Sequence, residues 1–435
     1  MDARARKLLR ILRRNERTAY GLAHDFAAID SVAEFQARVP VTTYEDYIPA
    51  IEAIRRGEPG VLTSEPVRLL HPTSGSTTAR KLIPYTDSLR REFAGALRAW
   101  LSDLAAHFPG LKDGQAYFSL TPAGAPEEVT PGGVRIGFAE DTDYLGPSLG
   151  RAVAARLVWP RGLTPGMPMD DFWDATVEAL RRASDIRFVS VWSPTFLLLL
   201  LDHARQPANR LLPRLEVVSC WADGNSRPSA DALRKAFPGV YVQPKGLLAT
   251  EGVVTIPLEG VGKRLTTAHF FEFRTPDGEM RLPGELRPGD TGEVVMTTSG
   301  GLYRYALGDV VHYRGECCFD FIGRAGVSDQ CGEKLNEVHV GRVVGADRGF
   351  RLLAPEPGGY VLYTDTPLVA ARIDEGLREN FHYDHCRALG QLRQVRVVVV
   401  EDGARQYVDN CLRFGQRLGD IKPLCLSPRQ GWEFR

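Results

Sequence analysis

Apolar positions recur at three- and four-residue intervals through residues 1–60, which predicts a helical opening segment. Its first stretch, MDARARKLLRILRRN, sets Leu8, Leu9, Ile11 and Leu12 on one side and cations on the other, the pattern of an amphipathic surface helix. Thr42, Thr43 and Asp46 supply capping chemistry for a helix carrying Tyr47, Ile51 and Ile54. A polar stretch runs from His71 to Arg80, then a long helical pattern from Asp87 to Phe108. Beyond it, strand-like runs at Ile186–Val191, Leu215–Ser219, Val240–Gln243 and Val253–Ile256 alternate with helical patterns at Asp171–Ala183 and Ser229–Phe237. The run Phe196–Leu201 reads as a buried helix. Interleaved strands and helices predict an α/β sheet with helical cover.

The texture changes at Thr266. His269–Phe273, Gly292–Thr297, Val310–Tyr313 and Phe319–Ile322 read as strands with turns at Pro276–Gly278 and Pro288–Gly289, a small barrel or a second sheet. Arg324–Asp329 is polar and aperiodic, the candidate linker. The final segment alternates a helix (Asn336–Val344), a strand (Gly359–Thr364), a helix (Pro367–Asn380), a strand (Val395–Val400) and a helix (Ala404–Leu418), a compact α+β unit of domain size. The expected fold class is therefore α/β. Residues 1–326 form a large domain of α/β sheets plus a β-rich, barrel-like part, and residues 327–435 form a small α+β domain.

Composition narrows the function classes. Lys+Arg and Asp+Glu both number 54, so no excess charge selects nucleic acid or an anionic membrane. The longest apolar run is too short to cross a bilayer, and the N-terminus lacks the apolar core and cleavage site of a secretory leader. Seven cysteines without CxxC spacing argue against a disulfide framework or a zinc ribbon and point to the reducing cytoplasm.

The sharpest chemical signal is Thr73-Ser74-Gly75-Ser76-Thr77-Thr78-Ala79-Arg80-Lys81. Hydroxyls donate to phosphate oxygens, glycine lets backbone N–H groups approach an anion, and two cations follow. The second glycine of a Walker loop is missing. On the residues alone, a Ser/Thr-rich surface turn fits as well. With its continuation, TSGSTT-x-x-K-x-I-P resembles the phosphate loop of adenylate-forming enzymes. In particular it resembles that of the Gretchen Hagen (auxin-responsive promoter) family of acyl acid amido synthetases. The run Phe35–Pro59, LLATEG at Leu247–Gly252, YRYALGDVV at Tyr303–Val311, FIGR at Phe321–Arg324 and GEKLNE at Gly332–Glu337 continue the likeness in order.

That resemblance implies ATP- and Mg²⁺-dependent activation of a small carboxylic acid as acyl-AMP, then transfer to an amine, in the first instance an amino acid. A CoA or carrier-thiol ligase and a non-catalytic nucleotide-binding regulator are the alternatives. It also implies roles. Ser74, Gly75, Ser76, Thr77 and Thr78 would hold the β- and γ-phosphates, with Thr250 near the α-phosphate. Glu251 would ligate Mg²⁺, which accepts one or two carboxylates plus phosphate oxygens. Asp309 would accept the ribose hydroxyls, with Arg324 reaching the ribose beside it. Lys422 would be the catalytic lysine before a proline, with Lys334 its rival for the second half-reaction. Arg304 is read as structural. Leu247 departs from the tyrosine of many plant members, which removes any ring stacking on adenine there. Taken without their setting, Glu251 and Asp309 also read as turn carboxylates and Lys422 as an exposed lysine. Three further hits are discounted. Gly146-Pro147-Ser148-Leu149-Gly150 satisfies GxSxG without a preceding strand. His382 and His385 lack a ligand cluster, and Trp173, Trp192 and Trp221 read first as core aromatics.

Overall fold

The computed structural model describes residues 3–73, 81–119, 128–138, 146–160, 162–163, 167–325, 327–328, 330–416 and 418–435. Four helices open the chain: α1 (Ala3–Asn15), α2 (Ala19–Ala23), α3 (Val32–Arg38) and α4 (Tyr44–Arg55). The apolar stripe of α1 is buried against Phe26, Phe35, Phe270 and Tyr303. A capping box starts α4, with the Thr43 N–H donating to the Asp46 carboxylate at 2.7 Å. Thr42 does not cap. Its hydroxyl donates to the Tyr303 carbonyl at 2.9 Å and ties the N-terminal helices to a distant strand region.

Strands β1 (Leu69–Pro72) and β2 (Leu82–Tyr85) pair antiparallel. His71 and Pro72, expected in a polar loop, close β1, because their backbone groups are claimed by Ile83 and Leu82 opposite. The long helix α5 (Asp87–His107) follows, capped by Thr86, whose hydroxyl accepts the Leu89 N–H at 3.2 Å. After β3 (Gln115–Phe118), the short strands β4 (Glu128–Val129) and β5 (Arg135–Ile136) complete a sheet of order β2-β1-β5-β4. Helix α6 (Gly146–Ala154) contains the GxSxG hit, so Ser148 lies in helical backbone and not at a strand–helix elbow.

Next come α7 (Met169–Arg182), β6 (Ile186–Ser190), α8 (Pro194–Ala204), α9 (Ala208–Leu211), β7 (Val217–Cys220), α10 (Arg227–Ala236) and β8 (Tyr241–Pro244). Strands β3-β6-β7-β8 form a parallel sheet, and the apolar faces of α7, α8 and α10 bury against it. Trp173 belongs to that core, as expected. The carboxyl ends of the four strands lead into Ser119, Val191, Trp221 and Lys245, the edge where open α/β sheets bind ligands.

A two-residue-per-strand hairpin, β9 (Leu248–Ala249) and β10 (Gly252–Val253), leads to β11 (Thr255–Leu258), β12 (Gly262–Leu265), β13 (Phe270–Arg274), β14 (Met280–Arg281), β15 (Thr291–Thr297), β16 (Tyr305–Gly315) and β17 (Cys318–Arg324). The β-rich part is one antiparallel sheet of order β11-β12-β17-β16-β15-β13-β14. The run Val253–Ile256, expected as a single strand, is divided between β10 and β11, where the chain passes from hairpin to sheet. Beyond β18 (Val327–Ser328) and β19 (Leu335–Asn336) lie α11 (Glu337–Val344), β20 (Arg351–Glu356), β21 (Gly359–Thr364), α12 (Ala370–Leu377), α13 (Phe381–Ala388), β22 (Arg396–Val399) and α14 (Gly403–Arg413). Strands β20-β21-β22 make a mixed sheet over a core that includes Leu353, Leu362, Leu377 and Tyr383. The architecture is the mixed α/β fold expected, with a separate C-terminal region.

Candidate active site

The β9–β10 hairpin is too short to hold its own shape, and neighbours from other segments fix it. Its turn is Thr250-Glu251. The Thr250 carbonyl accepts a hydrogen bond from the Tyr85 hydroxyl at the end of β2. The Val253 N–H donates to His269 Nε2 at 3.1 Å, which leaves the proton of a neutral ring on Nδ1. That nitrogen lies 3.2 Å from Glu92 Oε2 on α5. Glu92 also takes the Ser299 hydroxyl at 2.7 Å and Lys7 at 3.0 Å. Burial would raise the Glu92 carboxyl, but His269 and Lys7 outweigh it and hold the group below its ordinary range.

Glu251, fixed by this frame, is buried, and the Tyr305 hydroxyl lies 3.4 Å from its Oε1. Burial pushes its carboxyl above the usual range, and Asp309 pushes further in the same direction. The residue's own backbone N–H, Lys422 and Arg324 oppose the shift without cancelling it. A buried carboxylate beside a second one is a position a divalent cation would repay.

Asp309 on β16 stands directly across from Arg324 on β17, and the two form an ion pair at 3.0 Å. Arg324 thus orients Asp309 with its side chain. Its backbone N–H donates to Glu337 Oε2 at 3.2 Å. The other oxygen of Glu337 accepts the Cys425 N–H at 3.0 Å. Glu337 therefore bridges the end of the seven-stranded sheet to the loop that carries Lys422. That loop is pinned again where the Tyr407 hydroxyl donates to the Lys422 carbonyl at 2.6 Å and Ile421 is buried beside Leu352 and Val408. Lys422 is thereby brought close enough to act on Glu251, 171 positions earlier in the sequence. Lys334 sits apart, exposed, its carbonyl accepting from Asn380 at 3.3 Å.

Ser74, Gly75, Ser76, Thr77 and Thr78 lie outside the described residues. Their flanks are described. The Thr73 N–H donates to the Lys81 carbonyl at 2.9 Å, closing the neck of the segment. Lys81 lies over the Tyr44 ring at 5.3 Å, and Tyr85 of β2 is the residue that holds Thr250. The candidate phosphate segment and the Glu251 turn therefore spring from one hydrogen-bonded unit. Leu247 packs into the core of the seven-stranded sheet. Arg304 makes a bidentate pair with buried Glu272, both bonds at 3.0 Å, and donates to the Gln36 and Val39 carbonyls at 2.8 and 2.7 Å, a structural latch. His382 and His385 lie on α13.

The sequence reading missed Tyr85, Tyr305, Glu337 and the His269–Glu92 pair. Glu337 stood inside the GEKLNE motif and Tyr305 inside YRYALGDVV, so motif membership marked both; nothing local marked Glu92 or His269.

Comparison with known proteins agrees with the geometry. Residues 2–212 match the GH3 family N-terminal domain, residues 264–324 the GH3 family central domain and residues 348–430 the GH3 family C-terminal domain. GH3.10 of Oryza sativa subsp. japonica is 27% identical over 386 residues, 76% of this chain and 80% of that one. GH3.2 of the same organism, by name a probable indole-3-acetic acid-amido synthetase, is 35% identical over 133 residues. That stretch spans 30% of this chain and 21% of the relative. The solved AtGH3.15 acyl acid amido synthetase, in complex with 2,4-DB, superposes with a TM-score of 0.79 at 18% identity, covering 98% of this chain and 91% of that one. The ordered match of all three domain models shows that the chain belongs to the GH3 family.

Proposed function

We propose that the chain uses ATP and Mg²⁺ to activate a small carboxylic acid as an acyl-adenylate and passes the acyl group to an amine, in the first instance an amino acid. The observation that carries this reading is the convergence of buried Glu251, the Asp309–Arg324 pair and Lys422. Membership of the GH3 family supports it.

Substrate carboxylate oxygen attacks the α-phosphorus of ATP, the bond to the bridging oxygen breaks, and pyrophosphate leaves. Lys422 neutralises charge shared between the attacking carboxylate and the α-phosphoryl oxygens, an interaction strongest in the transition state. Glu251 is the residue that would hold Mg²⁺, which when bound supplies screening of the phosphate oxygens. Asp309 accepts from the ribose hydroxyls while Arg324 keeps it oriented. Residues 74–78 hold the leaving phosphates, and Thr250 lies beside the α-phosphoryl group. In the second step the amine nitrogen attacks the acyl carbon, the C–O bond to AMP breaks, and the amine's proton is released. Residues 327–435 act as a lid on residues 1–326, hinged at 324–329, and shield the anhydride from water. Among the described residues all seven cysteines are free and no helix is long and apolar enough to cross a membrane; a cytoplasmic setting fits the thiols.

The test is pyrophosphate release with MgATP across aryl, indolyl and aliphatic acids, with and without amino acids or CoA. Release with an acid, accelerated by an amino acid and not by CoA, is expected. Acceleration by CoA alone would make the chain a thioester ligase, and ATP binding without release for any acid would make it a nucleotide-binding regulator.

A further inference from the structure

Lys245 ends the parallel sheet in a setting the mechanism above does not use. It follows β8, its backbone N–H bonds to the Cys220 carbonyl at 2.8 Å, and its side chain is buried at 7% exposure. The ammonium donates to the Ser190 hydroxyl at 2.7 Å and reaches that of Ser219 at 3.4 Å. It lies 5.1 Å from the Trp100 ring and 5.3 Å from the Trp192 ring. Among the described residues no carboxylate stands within ion-pair distance of it. Cys220 is the titratable group that acts on it, and burial holds that thiol neutral, pushed up to about 12. Burial likewise pulls Lys245 down, to about 7.

An ammonium without a counter-ion is costly to bury, and hydroxyls and ring faces repay only part of that cost. The place where this one is kept matters. It stands at the carboxyl ends of the parallel strands, six positions before Glu251. The C-terminal region comes near the same edge, since a side chain at Gly419 would begin 3.7 Å from the Ser119 carbonyl. The reacting carboxylate already has Lys422 as its cation. The Lys245 ammonium lies beside the Trp100 and Trp192 rings, on the segment that runs from β8 to the Glu251 turn.

We infer that Lys245 is a specificity-determining residue of the acid site, and that the acid this chain activates carries a second anionic group that pairs with the Lys245 ammonium. This rests on the acid-activation reading above. Auxin-like or aliphatic monoacids, whose one charge is the reacting carboxylate, would leave the Lys245 cation without an anionic partner, so they are selected against.

The test is ATP–pyrophosphate exchange by the full chain and its Lys245→Met variant with matched pairs, benzoate against terephthalate and hexanoate against adipate. The unsubstituted protein should favour the diacid of at least one pair. Lys245→Met should lower the diacid-to-monoacid ratio of kcat/KM by about 100-fold, the scale of losing one partner of a buried charge pair. The diacid KM should also rise between pH 6 and pH 8 in the unsubstituted protein and not in the variant. Lys245→Gln, which keeps a donor for Ser190, gives the same ratio should the methionine variant misfold. A structural lysine would depress both acids alike; equal ratios in both proteins, or monoacid preference in the unsubstituted one, would overturn the inference. Absence of exchange with every acid while ATP still binds would instead overturn acid activation itself, and this refinement with it.

Discussion

At the scale of single residues, the site is built from charges placed where they are individually unfavourable. Glu251 has a folded pKa above its unfolded one, so between those values the folded chain binds more protons and stability falls as pH rises. The ionised carboxylate is therefore a cost to the folded state that a bound cation would repay. Glu251→Gln should raise the thermal midpoint of the ligand-free protein at pH 7–8. The gain should fade once pH drops below the ordinary carboxylate range, where both states are protonated. The same variant should need roughly 10–100-fold more Mg²⁺ for half-maximal pyrophosphate release. An unchanged Mg²⁺ titration would remove Glu251 as a ligand. Lys422→Ala should cut adenylation by about 10²–10³, the cost of losing one donor to a developing charge; near-normal release would reject that role. These residues stood out in the sequence as candidates because each sits in a short motif. Their electrical state was not, since it depends on Asp309, Arg324 and Lys422 arriving from elsewhere.

At the scale of elements, the β9–β10 hairpin depends on its packing. Gly252 has no room for a side chain, because an added Cβ would lie 2.3 Å from Met296 Cε and 2.7 Å from His269 Nε2. Met296 can swing aside, but His269 is held by Val253 and Glu92. Gly252→Ala should cost about 1–3 kcal/mol, the range for overpacking a filled site, read as a lower denaturant midpoint. Activity should fall with it as the Glu251 turn shifts; an unchanged midpoint would show that His269 is free to move. Long periodic elements such as α5, β15 and α14 were legible, because ten or more residues or a clean apolar run average out local noise. The two-residue strands β9 and β10 offer no period to read. The helix α13 was missed at HYDHC, where the Asn380 side chain caps it by accepting the His382 and Tyr383 N–H groups at 2.9 and 3.1 Å.

At the scale of the whole molecule, two buried carboxylates hold the parts in register. Glu272 locks Arg304, which in turn grips the backbone at Gln36 and Val39, so the opening helices cannot leave the β-rich sheet independently. Glu337 fixes the Lys422 loop against β17. Glu337→Ala should lower the rate constant of adenylation roughly 10–100-fold by misplacing Lys422, while the KM for ATP changes little. A normal rate constant would show that the loop finds its position without that bridge. The sequence by itself determined the helical periods, the cap at Thr43 and Asp46, the α/β-then-β-rich order and the motif residues. All of these are encoded by neighbours within a few positions, where 3.6- and 2-residue repeats and short-range hydrogen bonds operate. Only the tertiary structure decided that Tyr85 holds Thr250, that Arg324 is paired with Asp309, that Lys422 comes near enough to act on Glu251, and that Lys245 is buried with no carboxylate in ion-pair distance among the described residues. Those outcomes are set by contacts between segments tens to hundreds of residues apart, and by the low polarity of the interior they share, neither of which any local stretch of sequence carries.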